Sequence, residues 1–109
     1  MISVKQNVMT IDEKKFEFEA PISAYVEYFE LIILVLDYKH DVLNNIYAID
    51  KKFLTIKWQV EDLCHYSRKP RPFTSIRIVN NNITAWDLFG LRYFLDPETG
   101  EIIFRQYQR

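Results

Sequence analysis

A chain of 109 residues with 49% apolar and 16% aromatic side chains, but only two glycines and four prolines, has the material for one folded domain. It has too few chain breakers for a disordered or low-complexity polymer. A formal net charge of −1 gives no long-range pull toward nucleic acid or an anionic membrane, and the single cysteine, Cys64, excludes an internal disulfide and a multi-cysteine metal site.

The first residues, Met1 to Asn7, lack the basic flank, apolar stretch and small-residue cleavage site of a secretory signal, and they read as mature sequence. Met9 and Ile11, the polar run from Asp12 to Lys15, then Phe16 and Phe18 predict two short strands joined by a turn. Pro21 ends that hairpin, because proline has no N–H to give a central ladder. Ile22, Ala24, Val26 and Tyr28 then alternate with more polar neighbours, as a strand with one wet face requires.

Leu31 to Leu36 is apolar on both parities, which predicts an interior strand covered on two faces, with a short buried helix as the alternative. At six residues it is about a third of the roughly 18 a spanning helix needs, so no membrane span is expected. Strands follow at 46–50 and 54–60, the second with Leu54, Ile56, Trp58 and Val60 on one face. From Glu61 to Pro72 the periodicity vanishes, predicting the longest loop. Further strands are expected at 75–79, 83–89, 91–96 and 101–107. Their turns fall at Asn80 to Asn82, at Gly90 and at Pro97 to Gly100.

A shift of 46 places Tyr47 on Tyr93, Ile49 on Leu95, Asp50 on Asp96, Ile56 on Ile102 and Trp58 on Phe104 without a gap. The shared unit resembles the outer hairpin of a propeller blade, a four-stranded meander of about 40 to 50 residues. The expected fold is therefore all-β: two four-stranded antiparallel blade-like meanders packed as a sandwich or half-propeller, plus an N-terminal hairpin. Its parts are a hairpin at 1–20, a first meander at 21–60, a loop at 61–73 and a second meander at 74–109. The matched hairpins are expected to face a common apolar interior, with Trp58 and Phe104 as core aromatics and Asp50 and Asp96 as turn formers.

Chemistry is sparse. His40 and His65 are far apart and fit no metal-ligand spacing, and Cys64-His65 are neighbours that point opposite ways on an extended chain. Two isolated glycines build no phosphate cradle. Glu17, Glu19, Asp37, Asp41, Glu61, Asp62, Asp87 and Glu98 form no acid–base pair and read mostly as solvated surface charges. No enzyme activity and no cofactor are implied. Acidic and tyrosine side chains do gather in two predicted loops, Asp37, Tyr38 and Asp41 in one and Glu61, Asp62 and Tyr66 in the other, a combination suited to a partner with a basic cleft.

Asn45 to Asp50 with Trp58-Gln59-Val60, and Ala85 to Tyr93 running to Asp96-Pro97-Glu98-Thr99-Gly100, resemble small bacterial immunity proteins. Over about residues 16 to 109 the chain is similar to those encoded beside contact-dependent growth inhibition toxins, the group paired with ribonuclease A-type toxins among them. The resemblance implies a cytoplasmic protein that covers a toxin's active site or substrate cleft, with no catalytic residues. On chemistry alone, the six loop residues above are the partner-binding candidates, carboxylates and tyrosines imitating phosphates and bases.

Two other classes compete. A propeller-like module could bind a sugar or small molecule in a groove lined by Trp86 or Tyr93, and Arg68-Lys69-Pro70-Arg71, flanked by Tyr66 and Phe73, could contact single-stranded RNA. Overall acidity argues against direct nucleic-acid binding. An edge strand at either end leaves self-pairing open.

Overall fold

A computed structural model describes residues 1–40, 44–60 and 72–107, with the side chains of 40 and 104–107 outside the description. Its elements are β1 (Ile2–Lys5), β2 (Val8–Ile11), β3 (Lys14–Glu17), β4 (Ile22–Tyr28), β5 (Leu31–Leu36), β6 (Ile46–Asp50), β7 (Thr55–Gln59), β8 (Phe73–Val79), β9 (Asn82–Asp87), β10 (Leu91–Leu95) and β11 (Ile102–Tyr107). A single 3-10 turn spans Tyr38–His40, and no α-helix occurs among the described residues. All pairings are antiparallel between chain neighbours, giving sheets ordered β1-β2-β3, β4-β5-β6-β7 and β8-β9-β10-β11, none closed into a barrel.

The sheets stack in chain order around two apolar layers. Leu31, Ile33, Val35, Ile46, Ala48 and Trp58 of the middle sheet meet Phe73, Ile76, Ile83, Ala85, Tyr93 and Leu95 of the C-terminal sheet. The other face of the middle sheet, Ile32, Leu34, Leu36 and Ile49, meets Met9, Ile11, Phe16 and Phe18. The two-parity run at β5 is therefore a strand feeding both layers, with all six side chains buried. Each such side chain contributes roughly 2 kcal/mol.

The expected N-terminal hairpin has a third strand. Ile2 to Lys5 pairs with β2 across a two-residue turn at Gln6 and Asn7, where Gln6 takes φ 57°. Glutamine is an uncommon residue for that backbone region, which hides the turn from a residue-type reading.

The internal repeat extends to all four strands of each meander. Adding 51 to β4–β5 maps the pairs Ile22↔Leu36, Ala24↔Val35 and Tyr28↔Leu31 onto Phe73↔Asp87, Ser75↔Trp86 and Val79↔Asn82, with a bulge at the same place. Adding 46 to β6–β7 maps Tyr47↔Gln59, Ala48↔Trp58 and Ile49↔Ile56 onto Tyr93↔Arg105, Phe94↔Phe104 and Leu95↔Ile102, again with a matching bulge. The difference of five residues is the longer β5–β6 connection in the first meander.

These registers correct two expectations. The bulge puts an extra residue into β7, and a one-residue offset reverses side-chain parity. Trp58 is thus buried against the C-terminal sheet, whereas Ile56 pairs with Ile49 on the opposite face and is half exposed on an edge strand. Nor do the two hairpins face one interior. Ile49 belongs to the first layer and its equivalent Leu95 to the second, because the meanders stack with the same face turned back each time. The side chain of Phe104 lies outside the described residues.

Candidate functional site

The stack has two ends with different chemistry. At one end the chain passes between β5 and β6, between β7 and β8, and between β9 and β10. The first two connections carry the residues expected to bind a partner. Asp37 and Tyr38 are both partly buried, and an Asp37 carboxylate oxygen accepts the backbone N–H of Lys39 at 2.9 Å, opening the short 3-10 turn. Asp41, Glu61, Asp62 and Tyr66 lie outside the described residues, as do Cys64, His65 and the basic stretch 68–71.

Two side chains tie the described ends of these connections together. Asn45, fully buried, donates through Nδ2 to the carbonyls of Leu36 and Phe73, both at 2.8 Å, and accepts the Phe73 N–H on Oδ1 at 2.9 Å. Gln59 donates to the Asn44 carbonyl at 2.8 Å. The chain leaving β7 and the chain entering β8 are thereby fastened to the segment that leads into β6.

Beside this end, Asp87 is an exception among carboxylates that read mostly as surface charges. It is 2% exposed, with Oδ1 accepting the N–H groups of Phe89 and Leu91 and Oδ2 accepting the Tyr93 hydroxyl at 2.7 Å. A buried carboxylate survives only with such partners. Tyr93 is itself 1% exposed, so it lines no groove. Trp86 is half-buried and does border a groove of about 490 Å³ on the outer face of the C-terminal sheet, with Thr74, Ser75, Arg77 and Leu88.

At the opposite end stand the four hairpin turns of the two meanders. The Phe29-Glu30 turn is fixed to the β6–β7 turn by the Lys51 N–H, which donates to the Glu30 carbonyl at 2.9 Å. It is fixed to the C-terminal sheet by the Tyr28 hydroxyl, which donates to the Asn81 carbonyl at 2.8 Å. Trp58 bridges the same seam: its Nε1–H donates to the Pro97 carbonyl at 2.8 Å, and its ring lies on Gly100. Gly100 has φ 77°, and a Cβ there would stand 2.5 Å from the indole, so both backbone angle and space demand glycine.

A cleft of about 350 Å³ opens at this seam, with Leu31 as its apolar floor and Tyr28, Phe29 and Pro97 on its walls. Glu30, Asp50, Lys57 and Glu98 supply its charges, and Lys57 pairs with Glu98 at 3.1 Å. Asp50 is held ionised: the backbone N–H of Phe53, helped by that of Lys52 and by the charges of Lys57 and Lys52, keeps its carboxyl below the usual carboxylate range. From the sequence alone, Asp50 reads as a turn former and Glu98 as one surface carboxylate among several. The available signal was an aromatic and an acid, Phe29-Glu30, at a hairpin tip where asparagine or glycine is usual.

Among the described residues no three metal-ligating side chains converge, and no helix is long and apolar enough to cross a membrane.

No curated protein matches the chain. The crystal structure of BamB from Moraxella catarrhalis is similar in fold, with a TM-score of 0.68 and 12% identity over 100% of this chain and 32% of that one. A computationally designed protein, Ika8, is similar with a TM-score of 0.64 and 8% identity over 96% of this chain and 35% of that one. The chain thus spans about a third of the length of these solved structures, and at such identities the likeness is one of fold alone. A family model for a domain of unknown function, DUF7957, matches residues 1–107, and with every described strand inside that match the chain belongs to the DUF7957 family.

Proposed function

We propose that this chain is a non-catalytic protein-binding domain that acts through the loop end of its sheet stack, as the cytoplasmic inhibitor of a nuclease toxin in the manner of immunity proteins. The observation that supports this reading most is the fastening together, by Asn45 and Gln59, of the described ends of the β5–β6 and β7–β8 connections. The sequence segments that carry Asp37, Tyr38, Asp41, Glu61, Asp62 and Tyr66 start from one end of a rigid scaffold. Loops held by such a scaffold are where binding residues concentrate, and carboxylates with tyrosines match a basic, RNA-handling cleft.

Co-expression with the product of the neighbouring open reading frame tests it. The expected result is a product toxic alone, neutralised by this chain, and recovered with it as a stoichiometric complex that weakens when Asp37→Asn and Glu61→Gln are combined. A harmless neighbour, or the absence of a complex, would sink the inhibitor reading.

The groove beside Trp86 favours a second reading, a module that takes a sugar or small planar ligand on the outer face of the C-terminal sheet. A ligand that raises the thermal midpoint of the chain, and no longer does so after Trp86→Ala, would support it over the first.

A further inference from the structure

We propose that the cleft at the turn end is a binding site for an organic cation with an apolar stem, the guanidinium or alkylammonium group of an arginine, lysine or free amine. It lies at the opposite end from the loops of the inhibitor reading and stands independently of it.

Three carboxylates and one ammonium line the cleft, and the ammonium of Lys57 is already engaged by Glu98. The Glu30 side chain has no hydrogen bond or ion pair among the described residues, and Asp50 uses only Oδ1, in its own turn. Two acceptors for a cation therefore stand at the mouth of a cavity whose floor is the buried side chain of Leu31. Phe29 meets Tyr28 edge to face, with ring centroids 4.8 Å apart, and is 75% exposed. An aromatic face beside carboxylates takes the charged head, and an apolar floor takes the methylene stem. The volume, about 350 Å³, falls in the range of small-ligand sites.

The repeat shows that the fold does not require these side chains. Phe29 and Glu30 map onto Asn80 and Asn81 of the second meander, and Phe29 and Asn80 hold nearly the same backbone angle, φ 51° and 50°. Asparagine tolerates that angle at little cost, whereas phenylalanine does not. The second meander closes its equivalent turn with two asparagines, both at positive φ, whereas the first carries there an exposed aromatic at positive φ and an acid whose side chain has no partner among the described residues.

Titration of the full chain with argininamide, and separately with the capped peptide N-acetyl-Gly-Arg-Gly-amide, tests the site by backbone amide NMR in low salt. Expected are saturable shifts at the amides of Phe29, Glu30, Lys51 and Lys57 at about 10 mM probe, where a millimolar site is nearly full. Glu30→Gln and Phe29→Gly should each weaken binding by about tenfold or more. Neither change threatens the fold, since the Glu30 side chain has no partner among the described residues and glycine suits the Phe29 backbone. Glu17→Gln, on the outer face of the N-terminal sheet, should change nothing. Tighter binding of the peptide identifies the occupant as a side chain of a polypeptide partner, and equal or tighter binding of argininamide identifies it as a small amine. No saturable shift with either probe, or shifts that survive both substitutions, overturns the proposal.

Discussion

Tyr47 and Tyr93 occupy equivalent positions and both give their hydroxyl to a carboxylate, but to different ones. Tyr93 finds Asp87 within its own sheet, while Tyr47 reaches back to Glu19, ahead of the middle sheet, at 2.7 Å. Partial burial, then the hydrogen bond and charge of Glu19, push the Tyr47 phenol up to about 12 from 10.0. A folded-state pKa above the unfolded one means that the folded chain holds its proton longer. The stabilisation is therefore complete below pH 10 and is lost as pH rises through about 12. Denaturant midpoints measured across that window should fall for the wild type, and the fall should be shallower in Tyr47→Phe, which has no phenol to ionise. An unchanged alkaline slope in the variant would show that Tyr47 is not its source. Asp87 marks the limit of reading single residues: it sits on the apolar parity of β9, at the position equivalent to Leu36, and donors that include the Phe89 and Leu91 N–H groups and the Tyr93 hydroxyl explain it.

At the scale of elements, alternation and turn residues placed every strand of both meanders to within a few residues. Period-two patterns report which faces are dry, and the turns at Asn80-Asn81 and Pro97 to Gly100 carry residues chosen for their backbone angles. Bulges escaped, because an inserted residue has no side-chain signature of its own, and so the facing of Ile56 was misread. The join between meanders also escaped. Asn45 reads as a loop polar residue, yet it closes three hydrogen bonds between the end of β5 and the start of β8. Asn45→Ala should lower stability by roughly 2 to 4 kcal/mol, since it leaves buried backbone groups of Phe73 and Leu36 without this partner. Chemical unfolding measures it, and a loss below about 0.5 kcal/mol would mean that water or a neighbour replaces the amide.

Across the whole molecule the stack is directional. The middle sheet is covered on both faces, by the N-terminal strands behind and the second meander in front. The forward face of the second meander replaces Leu31, Ile33 and Ile46 by the more polar Asn82, Thr84 and Arg92, with Thr84 itself buried, and Val35 and Ala48 by Trp86 and Phe94, a mixed face of the kind that ends a repeat array. The N-terminal sheet is the other cap, with Ser3, Lys5, Thr10 and Lys15 outward. Removing residues 1–20 should therefore expose Ile32, Leu34, Leu36 and Ile49 together, a loss on the order of 6 to 10 kcal/mol. That is comparable with the entire stability of a small domain. The truncated chain should lose cooperative unfolding or aggregate, as gel filtration and thermal melts would show. A monomeric variant with an unchanged melt would make the first sheet an ornament.

By itself the sequence determined the class of the fold: all-β, two related meanders and a doubly buried β5. Those features are local, written in alternation, turn chemistry and composition, and they survive translation into structure one residue at a time. Tertiary structure decided which face of each meander meets which, that Asp87 and Tyr93 are interior, and that Phe29, Glu30 and Asp50 share a cleft with Glu98. Such facts join residues as far apart as 30 and 98, and a juxtaposition of that range is set by how sheets stack rather than by the pattern along any one strand.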